Sequence, residues 1–244
     1  MSQRTKSHVA LSSGKTVSPL ATEVCTDLQL APPAMADLYR YLGYAREAVP
    51  GPHVTQRVAQ IVEEALSHVR PQGTFSLYKL TSRTPRSLRF GGRAAIFGNI
   101  GEFLAPAERI AIFVVTIGDA VSRFAEQARR NGDALAEWIV DAFGSWAAEA
   151  AADALLERVQ HYAAEGEALT LRYSPGYCGM DMDQQRTLFE MVEADAVGVK
   201  LLPSLLMYPL KTISGIVGFA QKEAAGSSST PCDRCAQLNC HMRR

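Results

Sequence analysis

Arg172-Tyr173-Ser174-Pro175-Gly176-Tyr177 places a guanidinium, a tight turn and an aromatic ring within six residues. A guanidinium can hold a carboxylate through two parallel N–H bonds. Pro175 fixes φ and Gly176 permits φ > 0, so the chain turns there and presents backbone N–H and C=O groups. Tyr177 adds a ring for stacking. Together these groups suit a small zwitterion carrying a flat base. The six residues also read as an ordinary strand and turn with a solvated Arg and a core Tyr. Short motifs recur by chance, and the six alone favour that plainer reading.

Two further groups could do chemistry. Glu149 stands among Ala147, Ala148, Ala150, Ala151 and Ala152. A carboxylate there is either on a solvated face or held for a ligand amine, and Glu is seldom buried unless paired. Near the end, Cys232-x2-Cys235-x4-Cys240-His241 has the crowding of a zinc or iron–sulfur site. Three reduced thiols on a loose end read equally well. Cys178, beside the turn, is a candidate fourth ligand or a small buried residue. No His stands in a catalytic constellation: His68 and His161 fall on predicted helices as surface or packing residues. No general acid, base or nucleophile is assigned.

The elements that must position these groups follow from periodicity. Residues 168–172 alternate, with Leu169 and Leu171 on one face and Thr170 and Arg172 on the other, which predicts a strand running into the turn. Asn131-Gly132-Asp133 breaks the chain and caps a long helix over about 134–164, whose alanines let it lie close to a sheet or another helix. Residues 110–117 are a continuous β-branched and aromatic run and predict a buried strand by length and composition. A helix of about 119–130 follows Thr116-Ile117-Gly118, a junction read as packing because Asp119 would repel an anion. Val58, Ile61, Val62 and Ala65 mark one stripe of a helix over 53–69. A short helix carries Leu38, Tyr41 and Leu42. Phe75, Leu77 and Leu80 predict a strand, followed by a solvated basic loop with Arg83, Arg86 and Arg89. Asn99 is expected to cap a short helix, and Asp183 a helix bearing Leu188 and Phe189. Residues 197–201 read as a strand. Residues 207–217 read as a broken strand, with Pro209 and Gly215 marking bulges or an edge.

Composition narrows the function classes. Lys+Arg and Asp+Glu are both 25 in 244 residues, so the net charge is zero. That argues against nucleic-acid binding, which needs a basic stripe. No apolar run is long enough for a membrane span and the N-terminus lacks a signal-like apolar stretch, so a cytoplasmic protein is expected. Five cysteines, three of them crowded at one end, do not form a disulfide framework. The organisation expected is a disordered tail over 1–18, one domain over 19–222, and a flexible linker with a cysteine-rich tail over 223–244.

Several spaced motifs share one resemblance. Arg172 to Tyr177, the segment 183–191, and Leu201-x2-Ser204-x2-Met207-x-Pro209-x2-Thr212-x-Ser214-Gly215 resemble the activation domain of vitamin-B12-dependent methionine synthase. Ala148-Glu149-Ala150 and Leu156-Glu157-Arg158-Val159 lie at the matching distance upstream. Tyr41-Leu42-Gly43-Tyr44 and Thr116-Ile117-Gly118 look like its free-standing members. The resemblance implies an α+β fold with a twisted, mainly antiparallel sheet and flanking helices. It implies binding of S-adenosylmethionine, with Arg172 on the ligand carboxylate, Glu149 on its α-amino group, and Ser174 and Tyr177 contacting the remainder. The two side chains are then expected to face each other across a gap sized for one sulfonium amino acid.

The implied activity is reductive methylation: inactive cob(II)alamin takes one electron, and S-adenosylmethionine methylates the cob(I) form. No Asp-x-His occurs in the chain. The cobalamin is therefore expected on a partner, a methionine synthase or another corrinoid methyltransferase, with flavodoxin or ferredoxin as candidate electron donors. Cysteine tails of this kind are implied for free-standing relatives, so Cys232, Cys235 and Cys240 could hold zinc or an Fe–S cluster. The alternative reading is a redox or scaffold protein of a corrinoid methyltransferase complex that carries its metal centre on that tail.

Overall fold

The structure, a computed structural model, describes residues 18–222 apart from Arg46, Gly91, Gly92, Pro106 and Cys178. The N-terminal tail and the cysteine-rich segment expected from the sequence lie outside these residues, essentially in full. The elements run β1 (Ala21–Cys25), α1 (Met35–Tyr41), α2 (Pro52–Leu66), β2 (Gln72–Lys79), β3 (Ser82–Thr84), β4 (Ser87–Phe90), β5 (Arg93–Phe97), α3 (Ile100–Phe103) and β6 (Arg109–Thr116). They continue as α4 (Ala120–Arg130), α5 (Ala134–Gln160), β7 (Glu167–Leu169), α6 (Gln184–Glu190), β8 (Lys200–Leu201), β9 (Met207–Tyr208) and β10 (Thr212–Gln221).

A five-stranded antiparallel sheet, ordered β1-β2-β6-β10-β7, carries the domain. β6 is its central strand, and its unbroken apolar run has a direct cause. Ala111, Phe113 and Val115 pack with α2 and α5 residues such as Ile61, Phe143 and Leu155. Ile110, Ile112 and Val114 pack on the other side with Leu88, Phe90, Ile100 and Leu188, from β4, α3 and α6. Both faces of the strand are covered, so neither parity can be polar. The result is the α+β architecture expected: helices on one face of a mainly antiparallel sheet, and a small β3–β4–β5 sheet with α3 and α6 on the other.

α5 is 27 residues, about 40 Å long at 1.5 Å per residue. Asp133 caps it by accepting the Ala136 N–H at 2.9 Å. Ala136, Ala142, Ala147, Ala151 and Ala152 are buried against the sheet. Gly73 of β2 brings the two layers together, since a Cβ there would stand 2.8 Å from Leu155 Cδ2.

Several expectations need correction. β10 is an unbroken ten-residue strand between β6 and β7, so Gly215 marks neither an edge nor a break. Residues 194–197 form a 3-10 turn, and only Lys200–Leu201 is strand. The basic segment after β2 is the β3–β4 hairpin rather than a loop, while Arg83, Arg86 and Arg89 are exposed as expected; Arg83 also donates to the Leu104 and Ala107 carbonyls. Asn99 and Asp183 make no side-chain cap; Asp181 instead accepts the Asp183 N–H. The long helix ends at Gln160. β1 was not expected, because its five residues lack clean alternation.

β7 is held by Glu167, whose carboxylate pairs with Arg109 and accepts the Ala164 N–H at 2.8 Å. Arg109 also stacks 4.6 Å above the Phe219 ring. The Ala164 N–H, with Arg109, holds the Glu167 carboxyl below its ordinary value of 4.5. A depressed carboxyl pKa contributes stability above the unfolded value and loses it as pH falls. Glu167→Gln is therefore expected to destabilise the protein near pH 7, with the deficit shrinking as pH falls through 4.5. Denaturant unfolding at a series of pH values checks this; a pH-independent deficit would contradict it.

Candidate functional site

Arg172 reaches its position through an irregularity in the sheet. The register pairs Leu169 with Phe219 and, further on, Tyr173 with Ile216. Three residues, 170 to 172, thus stand opposite two, 217 and 218. This is a β-bulge, and it shifts which face each side chain takes. Thr170 makes it: its N–H donates to the Gly218 carbonyl at 2.9 Å, and its hydroxyl accepts the Gly218 N–H at 2.9 Å. Leu171 is left 42% exposed. The regular strand expected over 168–172 is thus wrong beyond Leu169. Strict alternation would set Arg172 on the face opposite Leu169, which packs with the helices. The extra residue instead sends Tyr173 to the other core, stacked 4.6 Å from Phe103. Arg172 turns toward α5.

There Arg172 meets Glu149 directly through Nη2, while Nη1 lies 3.2 Å from Asp153 Oδ1. The expected gap between guanidinium and carboxylate is therefore closed by an ion pair. Glu149 is neither buried nor fully solvated, its side chain being 40% exposed. The alternation pattern and the alanine context each pointed to one of these groups; Asp153 was missed.

The signal for Asp153 is present in the sequence. Asp141, Ser145, Glu149 and Asp153 recur every four residues and form one line along α5. Arg172 serves the C-terminal half of this line and Lys211 the other. Lys211 Nζ lies 2.7 Å from Asp141 Oδ1 and donates to Ser145 Oγ and the Asp141 carbonyl, both at 2.9 Å. Gly144 makes the room, since a Cβ there would stand 3.0 Å from Lys211 Cε. The Lys211 side chain is only 10% exposed, so this clasp fixes the segment entering β10 against the helix. Such a buried cation is held because all its donors find partners.

Ser174 and Tyr177 lie on the turn after Arg172. Ser174 Oγ donates to the Ser214 carbonyl at 2.7 Å, and Gln185 Nε2 donates to Ser214 Oγ at 2.8 Å, tying the turn and α6 to β10. Gly176 adopts φ +91°, as the Pro-Gly turn requires. The turn amides are less open than expected: the Gly176 N–H donates to the Met180 carbonyl and the Tyr177 N–H to the Ser174 carbonyl. Tyr173 is the core ring, and Tyr177 is the exposed one, at 65%.

The arrangement offers one cation, two carboxylates and an exposed aromatic ring. It suits binding and orientation of a zwitterion rather than covalent chemistry. Buried Cys25 supplies no thiolate, since desolvation first and Glu23 second push its thiol up to about 12. Cys178, Cys232, Cys235 and Cys240 lie outside the described residues. Among the described residues, no group of three or more His, Cys, Asp or Glu side chains could hold a metal, and no helix is long and apolar enough to cross a membrane.

Residues 97–230, more than half of the chain, match the family described as vitamin B12 dependent methionine synthase, activation domain. Among solved structures, the crystal structure of the MetH reactivation domain bound to AdoHcy shares the fold, with a TM-score of 0.60. The two are 18% identical, over 88% of this chain and 81% of that one. No curated protein sequence matches the chain.

The backbone beside the site leaves no space for a side chain at Gly215. A Cβ there would stand 2.8 Å from the Tyr173 carbonyl oxygen and 2.9 Å from Phe113 Cζ. Gly215→Ala is expected to lower stability by about 1–3 kcal/mol through overpacking, and to displace the segment bearing Arg172. The denaturation midpoint measures the first effect; an unchanged midpoint would refute it.

Proposed function

The chain belongs to the vitamin B12 dependent methionine synthase activation-domain family, and on that premise we propose that it binds S-adenosylmethionine at Arg172 and Glu149 in support of cobalamin reactivation on a partner. The observation that carries this reading is the pairing of Arg172 with Glu149, flanked by Asp153. An α-amino acid brings one carboxylate and one ammonium. It can replace a mutual ion pair by two new ones, guanidinium to carboxylate and Glu149 to ammonium, without stranding either side chain. The residues therefore fit the ligand. Tyr177, exposed on the adjoining turn, supplies a face for the base or the sulfonium. Ser174 acts by holding that turn on β10 through the Ser214 carbonyl.

When bound, S-adenosylmethionine would supply a methyl group for a reduced cobalamin carried by the partner, with S-adenosylhomocysteine as the by-product. The chain's own part is to hold the amino-acid end and orient the sulfonium toward the partner. Asp141, Ser145 and Lys211 keep the β10 approach rigid against α5, so the site is set on two fixed elements. The partner fits the class of cobalamin-binding methyltransferase proteins, with a flavodoxin- or ferredoxin-type donor for the electron. A cytoplasmic setting suits that chemistry.

Calorimetry with S-adenosylmethionine tests the reading. Arg172→Ala is expected to weaken binding by about 1.5–3 kcal/mol, the scale of a charged hydrogen bond. Glu149→Gln should weaken it by a smaller amount, because the amide still accepts a bond from the ammonium. Binding that is the same in Arg172→Ala and the parent protein would remove this assignment.

A further inference from the structure

We propose that Asp153 is a specificity residue that favours S-adenosylmethionine over S-adenosylhomocysteine through its charge. This rests on the ligand reading of the site given above. Arg172 is shared between two carboxylates, Glu149 in direct contact and Asp153 Oδ1 at 3.2 Å from Nη1. The three side chains carry one positive and two negative charges, a net charge of −1. Lys211 and Asp141, further along the helix, neutralise each other at 2.7 Å and leave that balance unchanged.

The two ligands differ in charge by the sulfonium alone. S-adenosylmethionine carries a carboxylate, an ammonium and a sulfonium, a net charge of +1. S-adenosylhomocysteine carries only the first two and is neutral. Arg172 takes the carboxylate and Glu149 the ammonium in either case. The Asp153 carboxylate is then the surplus charge, four residues along α5 from Glu149 and on the same line, about 6 Å away by helical rise. With the sulfonium ligand the surplus negative charge meets a surplus positive one. With the thioether ligand it meets nothing new. The site thus complements the methyl donor and releases the demethylated product more readily. Asp153 is 72% exposed, so the effect is moderate and salt screens it.

The test uses the full chain, with S-adenosylmethionine and S-adenosylhomocysteine as the titrants. Asp153→Asn keeps the shape and removes the charge, and its exposed position leaves folding intact, which a thermal melt verifies. The parent protein is expected to prefer S-adenosylmethionine. In Asp153→Asn its affinity should fall about three- to fivefold, while that for S-adenosylhomocysteine changes by less than about twofold. Asp153→Glu should restore the preference, and raising the salt to about 0.5 M should shrink it in the parent protein. Equal losses for both ligands would overturn the proposal, because Asp153 would then only orient Arg172. A preference undiminished in Asp153→Asn would overturn it too. Should the parent protein bind neither ligand, the site reading itself fails, and this inference falls with it.

Discussion

One extra residue between Leu169 and Tyr173 decides where the guanidinium of Arg172 goes. Side chains alternate along a strand, so an inserted residue reverses the face taken by everything after it. Leu169 packs with the helices and Tyr173 with the opposite core, although they stand four positions apart. In a regular strand those two would share a face, and Arg172 would point away from α5. The hydroxyl of Thr170 absorbs the irregularity by accepting the Gly218 N–H. No backbone donor of β10 is stranded there, which is what makes the bulge tolerable in a half-covered edge region.

The partner of that guanidinium depends on how closely α5 lies on the sheet. Alanines on the buried face and Gly73 beneath Leu155 let the layers approach. A bulkier face would carry Glu149 and Asp153 out of reach of Arg172. Gly144 performs the same service for Lys211, which crosses above it to Asp141 and Ser145. The line of polar residues along α5 therefore interlocks with two cations from separate segments, one beyond β7 and one just before β10. Packing and electrostatics meet on one helix, and neither works without the other. The exposure of Glu149 and Asp153 keeps the pair in contact with water, so parting the two groups does not leave an isolated charge buried.

Much of this was legible in advance where a single physical cause governs a residue. The 110–117 run announced a buried strand, and β6 is the centre of the sheet, covered on both faces. Asp133 announced a helix start and caps α5. The family motifs carried the architecture, because their spacing encodes the order of elements. Boundaries and caps were less legible. Asn99 and Asp183 have the right chemistry for capping, yet their helices begin through other contacts. Gly215 looked like a weak point in a strand, but its missing side chain serves close approach by Tyr173 and Phe113.

By itself, then, the chain's sequence determined the types of groups available and the elements that bear them: an Arg ahead of a Pro-Gly turn, and an acid on an alanine-rich helix. Local pattern suffices there, since capping, turn formation and alternation act within a few residues. Only the tertiary structure decided that Arg172 and Glu149 touch, that Asp153 joins them, and that Lys211 clasps the same helix. Those facts depend on strand register and on the distance between layers. Both are set by residues far apart in the chain, such as Thr170 with Gly218 and Gly73 with Leu155, which no local window can bring together.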